Sequence, residues 1–175
     1  SVEIKDIDDQ LIVINIANKE KTFRDPRHKK LPFRAIVTKG KMGKSSSYDE
    51  IYKQNRLKLC VAEGPEEIPR GEALPLDFWM DKTTQVSFKK GCFIGQEVTA
   101  RVYHRNKVRR RLIVVDSRAT ITSEVELPGK GFKYICQNKD MVLLLAPLEF
   151  IETSEFNNDM QLEWSGKKYN FYLYL

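Results

Sequence analysis

Hydrophobic and polar residues alternate twice near the start of the chain, at Val2, Ile4 and Ile7 and again at Ile12, Ile14 and Ile16. A period of two marks half-buried strands, and the turn-forming "DIDD" between the two stretches predicts a hairpin. In "FRDPRHKKLPFRAIV", Pro26 and Pro32 force extended or turn geometry before "RAIV" resumes a short strand. After the loop "TKGKMGKSSS" the period changes. Ser47 and Glu50 have capping-box spacing, and Tyr48, Ile51, Tyr52, Asn55 and Leu59 fall on one face of a helix from about Tyr48 to Cys60. Pro65, Pro69 and Pro75 keep the next segment mostly irregular, with one helical turn expected near Asp77 to Lys82.

A second helix is predicted after Gly95. Ile94, Val98 and Val102 lie four residues apart and form an apolar stripe, and Glu97 and Arg101 are placed for an ion pair. From Val108 onward strand-like runs dominate: "RRRLIVVD", "SEVEL", "KYICQ", "MVLLLAPLEFI", "QLEW" and "KKYNFYLYL", with turn signals such as "PGKG" and "SGKK" between them. Short strands at this spacing predict a small antiparallel barrel or sandwich. The pattern therefore divides the chain near Arg105 to Lys107, with an α+β part at 1–105 and an all-β part at 106–175.

Composition narrows the class. With 175 residues and 41% hydrophobic content the chain can bury an ordinary core in one domain or two small ones. The longest uncharged apolar run, Met141 to Pro147, is far shorter than the roughly 20 residues that cross a bilayer, so no membrane role is expected. Cys60, Cys92 and Cys136 are too few and too scattered for a disulfide framework or a metal site. A reducing compartment follows, and Cys60 and Cys136, in apolar patterned segments, read as core. The net charge of +6 has one source: the stretch Arg101 to Arg111 holds six of the 30 Lys and Arg residues and no acid, and the other 24 cations balance the 24 acids. Such a run either attracts an anionic ligand, a polyglutamyl tail or RNA, or is a solvated face.

The chemistry concentrates at "FKKGCFIGQE", Phe88 to Glu97. A thiol just before a helix N-terminus, beside Lys89 and Lys90, is favoured as thiolate, and Gly91 and Gly95 let backbone approach a ligand closely. The other reading makes Cys92 a small buried hydrophobe beside Phe93 and Ile94. His104 is twelve residues further on, in no defined direction from Cys92, and His28 follows "DPR" as a surface-loop residue or otherwise.

"KGCFIGQE" resembles the Lys-Gly-Cys-Tyr-x-Gly-Gln-Glu signature of the YgfZ family of folate-binding proteins, whose mitochondrial relatives serve iron-sulfur assembly. The likeness extends to "FRDPRHKKLPFRAIV", to "NRLKLCVAEGPEEIPRGEALPLDFWMD" and to "VSFKKGCFIGQEVTARVYHRNKVRRRL", so it covers about Ser1 to Leu112. It implies the fold of the glycine cleavage T-protein: a folate-binding α+β core, here a fragment, followed by a C-terminal antiparallel β-barrel. It also implies a folate-dependent accessory factor for assembly or repair of iron-sulfur enzymes, including those that modify tRNA, in the cytoplasm or the mitochondrial matrix. Under it the motif residues are Lys90, Gly91, Cys92, Phe93, Gly95, Gln96 and Glu97. Cys92 becomes the working thiol, and Lys89, Lys90, Gln96, Glu97 and Arg101 become ligands of tetrahydrofolate, with no metal ligands expected. The implied partners are iron-sulfur proteins or their assembly factors.

Several positions depart from the family pattern. Phe93 replaces the Tyr, and Trp79 stands where relatives often have Asn. Lys58 occupies the acidic position that in the T-protein holds the pterin ring, which argues against ordinary aminomethyl transfer. The family carries a further segment before the position of Ser1, so the chain is expected to be a C-terminal portion with impaired folate binding. Aminomethyltransferase activity is one alternative. An RNA-binding module, with Tyr103 interleaved among Arg101, Arg105 and Arg109 to Arg111, is the other.

Overall fold

A computed structural model describes residues 11–16, 22–38, 46–91, 93–117, 126–156 and 160–174. They belong to two compact units, Ser1–Asn55 and Arg56–Leu175, the division falling inside the first helix. The architecture is mixed α and β with antiparallel sheets.

In the first unit, β1 (Leu11–Ile16), β2 (Phe23–Arg24) and β3 (Phe33–Thr38) form an antiparallel sheet in the order β1-β3-β2. β1 pairs with β3 in the register Leu11 to Thr38. The predicted first hairpin arm, Val2 to Ile7, and the side chains of Ile12, Ile14, Ile16, Ser47 and Tyr48 lie outside the described residues. The "DPR" stretch folds in on itself. Arg27 Nε and Nη2 donate to the two carboxylate oxygens of Asp25 at 2.9 and 2.6 Å, and Nη2 also donates to the Tyr52 hydroxyl at 3.0 Å. Burial works against the charge on Asp25. The hydrogen bonds and charge of Arg27, with Arg34 3.7 Å away, outweigh it and hold the carboxyl below its ordinary range. His28, offered by the sequence as a surface-loop residue, is buried, its Nδ1 accepting from the Lys30 amide at 3.1 Å.

Helix α1 (Ser46–Lys58) matches the predicted span, but its predicted face is wrong in part. Ile51 and Asn55 are exposed, whereas Tyr52, Arg56 and Leu57 are buried. Arg56 tolerates burial because both ends of its guanidinium are paired, at 2.7 and 2.8 Å to the carboxylate of Glu67 on α2 (Gly64–Glu67).

In the second unit, β4 (Arg110–Asp116), β5 (Lys133–Asn138), β6 (Met141–Pro147), β7 (Gln161–Trp164) and β8 (Lys167–Tyr172) lie in the order β5-β6-β4-β8-β7. Every neighbouring pair is antiparallel. Among the described residues this is an open sheet with β5 and β7 at its edges, not the closed barrel the strand spacing predicts. One reason is that "MVLLLAPLEFI" is not a single strand. Pro147 ends β6, and the chain turns at once into a helix, α4 (Leu148–Phe156), which carries Ile151 into the core. Most of the predicted "SEVEL" strand lies outside the described residues. "SGKK" closes the β7-β8 hairpin with Ser165 and Gly166 both at positive φ, the form that suits two-residue hairpins.

β4 and β6 are the centre of the core. Leu112 to Val115 and Met141 to Ala146 are all buried, so these strands are apolar on both faces. Cys60 is packed here with its Sγ donating to the Tyr172 carbonyl at 2.9 Å, and burial pushes its thiol far up. Cys136 is partly buried against the same core. Among the described residues no helix is long and apolar enough to cross a membrane.

Candidate functional site

Leu74 to Thr84 form the base from which the motif departs. A 3-10 turn (Pro75–Phe78) leads to Trp79, which holds a left-handed conformation at φ 59° and is buried with its indole N–H donating to the Leu112 carbonyl at 2.7 Å. Arg111 lies over the Trp79 ring, 4.5 Å from its centroid, and donates to both oxygens of Asp81 at 2.6 and 2.9 Å and to the Leu76 carbonyl. The turn is thereby fastened to the first residues of β4. Arg110 adds a weaker contact, 3.4 Å to Asp77, whose carboxyl is pushed up by burial despite the two arginines.

From there the chain runs out through Phe88 to the motif and returns along α3 (Glu97–His104). The loop is tied by its own side chains. Gln96 Oε1 accepts from the Phe93 amide at 3.2 Å and from Lys90 Nζ at 3.2 Å, while the Gln96 amide donates to the Phe93 carbonyl at 3.0 Å. This reciprocal pairing has the logic of a capping box, with Gln96 satisfying a donor just ahead of the helix. Glu97 repeats the move, its Oε2 accepting from the amide of Gly95 at 2.8 Å. Gly95 sits at φ +92°, a conformation that a side chain would strain. The predicted ion pair between Glu97 and Arg101 is not formed, because Glu97 turns back to the loop and Arg101 is left in solvent.

The apolar stripe is also placed differently from its prediction. Of its three residues Ile94 is 100% exposed and Val98 58%, with Phe93 beside them at 75%, so this end of the stripe looks outward, while Val102 is half-buried. Periodicity identified a face correctly but could not say whether the core lay beneath it. The opposite face carries Gln96, Thr99, Ala100 and His104, of which Thr99 and Ala100 are half-buried. With Pro75, Gln85, Val86, Ser87, Phe88 and Lys90 these residues line a pocket of about 250 Å³. Its aromatic wall is ordered by stacking: Phe88 lies 3.7 Å from Tyr103, nearly parallel, and His104 meets both rings edge-on at 6.0 and 5.4 Å.

Of the five residues expected to hold tetrahydrofolate, Lys90 and Gln96 line this pocket, and Lys89, Glu97 and Arg101 do not. Cys92 lies outside the described residues, and its neighbours Gly91 and Phe93 are exposed. Lys58 is at the exposed end of α1, its Nζ 5.9 Å from the Tyr172 ring. The sequence reading missed Phe88, Thr99 and Ala100 as pocket residues and gave His104 no direction. The signal was present, since Gln96, Ala100 and His104 follow one another at four-residue intervals and share a helix face. The basic run divides as well: Arg111 is buried and Arg110 partly so, while Arg101, Arg105, Lys107 and Arg109 remain exposed.

No protein-family profile matches the chain. Individual relatives do. The chain is 44% identical over 85 residues to the mitochondrial iron-sulfur cluster assembly factor IBA57 homolog of Cryptococcus neoformans, a match covering 46% of this chain and 23% of that protein. It is 35% identical over 115 residues to the mitochondrial iron-sulfur cluster assembly factor IBA57 of Mus musculus, covering 61% of this chain and 31% of the relative. For the same factor of Homo sapiens the identity is 40% over 101 residues, covering 53% and 27%. The chain thus spans less than a third of the length of these curated relatives.

Proposed function

We propose that this protein is an accessory factor in iron-sulfur cluster assembly, acting in the mitochondrial matrix, with Cys92 as its working thiol. The observation that carries this reading is the similarity to mitochondrial assembly factors at 35 to 44% identity. The loop geometry is in keeping with it: Gln96 and Glu97 tie the amides of Phe93 and Gly95, and Gly91 and Phe93, the residues on either side of position 92, are exposed. Its partners are iron-sulfur proteins or the machinery that supplies them with clusters. The T-protein-like core is part of the same proposal, as is service to tRNA-modifying enzymes.

Tetrahydrofolate fits the described residues in part. A pocket of about 250 Å³ is below the ~300–1,000 Å³ that encloses a drug-sized ligand. Lys90, the Phe88 ring and the hydroxyls of Ser87 and Thr99 suit a planar group bearing a carboxylate, such as one end of a folate. Glu97 is already bonded to the loop, and among the described residues lining the pocket none is a carboxylate that would hold a pterin ring.

Replacing Cys92 by Ala at the gene's own locus tests the reading. Iron-sulfur enzyme activities should fall to the level of a deletion strain, whereas Cys136→Ala should leave them unchanged. Full activity with Cys92→Ala would refute the working thiol. For the cofactor, tetrahydrofolate should quench tryptophan fluorescence of the wild-type protein, and Lys90→Ala should weaken that response.

A further inference from the structure

Among the described residues nothing covers the outward face of the motif, and its composition points to an occupant. Phe93 and Ile94 project from the loop, Val98 continues the apolar line onto α3, and Arg101 and Arg105 extend it at helical spacing, all exposed. Glu97, the acid of α3, is bonded to the Gly95 amide. The result is a convex apolar knob with a positive shoulder.

We infer that this face docks a protein whose surface offers an apolar depression bordered by carboxylates. Charge complementarity and the size of the face select that occupant over the others. A second copy of this chain would bring the same positive shoulder against itself. A bilayer surface would pair the positive shoulder with anionic headgroups, but the apolar line is three side chains on a loop and an eight-residue helix, far short of the amphipathic helices of roughly 20–30 residues that lie in membrane interfaces. RNA could stack on Phe93, but Ile94 and Val98, the aliphatic part of the knob, give a base no comparable contact. The bonds from Gln96 and Glu97 hold the loop in shape beforehand, which lowers the entropy lost when the knob is buried. Central apolar anchors with a charged rim are the usual anatomy of such interfaces. This inference extends the assembly-factor reading by naming the face that meets the partner.

The test is a photo-crosslinking amino acid placed at Ile94 of the intact protein in its own cells, with exposed Glu152 as control position. The crosslinked peptide is identified by mass spectrometry, and the purified partner is then titrated with wild-type and variant protein. The expected site lies beside Asp or Glu residues. Ile94→Asp should weaken binding by roughly 30-fold or more with an unchanged melting temperature. The double reversal Arg101→Glu, Arg105→Glu should weaken it most at low salt. The inference is overturned if both variants bind as wild type does, or if the crosslink joins two copies of this chain. It is equally overturned if Ile94-dependent binding is found instead to phosphatidylglycerol vesicles or to polyuridylate RNA. The two proposals fail separately. An iron-sulfur partner indifferent to Ile94→Asp removes the docking face only, and an Ile94-dependent partner unconnected with iron-sulfur proteins removes the assembly role only.

Discussion

Arg111 and Arg101 belong to one basic run, yet Arg111 lies over Trp79 against Asp81, and Arg101 stands in water on α3. The same contrast holds for the apolar residues on either side. Leu112 to Val115 are buried in a central strand, while Phe93, Ile94 and Val98 face outward. Residue type does not separate the two regions; partner supply does. At the base of β4 a folded turn brings Asp81, the Leu76 carbonyl and an indole ring around one guanidinium. Along the motif, Gln96 and Glu97 satisfy the amides of Phe93 and Gly95, and the side chains of Phe93, Ile94 and Val98 are left exposed.

That difference is open to measurement. The largest effect is expected from Arg111→Ala. It leaves the Asp81 side chain, 3% exposed, without its cation and should cost ~3–5 kcal/mol in urea unfolding. A loss below about 1 kcal/mol, the range of surface pairs, would place Arg111 with its exposed neighbours and break the comparison. Asp25→Asn carries the comparison to the first unit, with an expected cost near ~2 kcal/mol at neutral pH from weakening a buried charged pair. Its pH dependence has a definite sign. Because the folded carboxyl titrates below the ordinary value, its stabilisation is complete above the unfolded pKa, about 3.9, and is lost as pH falls through the folded one. The variant should therefore show a flatter acid limb than wild type in thermal melts across that range. Next comes Trp79→Phe, which keeps the ring but removes the donor to the Leu112 carbonyl, for ~1–2 kcal/mol by the same unfolding assay. The smallest change belongs to the motif: Gln96→Ala should alter global stability by less than ~0.5 kcal/mol. Exchange of the Phe93 amide should nevertheless accelerate, by about 10-fold, as the local tie is lost.

The sequence made some of this readable and not the rest, for reasons of distance. Strands β3 to β8 announce themselves through runs of apolar residues and turn signals, which are local, and α1 and α3 through their periods. Local pattern could also have gathered Gln96, Ala100 and His104. Burial of Arg111 could not be read, since Asp81 and Leu76 are 30 and 35 residues away in the chain. The run Leu148 to Ile151 differs: Pro147, a local signal directly before it, ends the ladder, so reading it as strand overlooked information the sequence carries. Ile94 and Val98 show the converse: an amphipathic face is legible, but whether it meets core or solvent depends on what lies beyond the helix. The roles given to Gln96 and Glu97 came from the resemblance, and the geometry puts both to use within the loop.

Cys60 has a practical use that follows from its position. Its thiol is fully buried, bonded to the Tyr172 carbonyl, and driven far from ionisation, so an alkylating reagent reaches it only when the core opens. In a Cys136→Ser protein, labelling in native buffer then reports on Cys92 alone, and a second label acquired in denaturant counts molecules that have unfolded. One chain thereby carries a probe of its own chemistry and, at Cys60, a built-in clock for global opening.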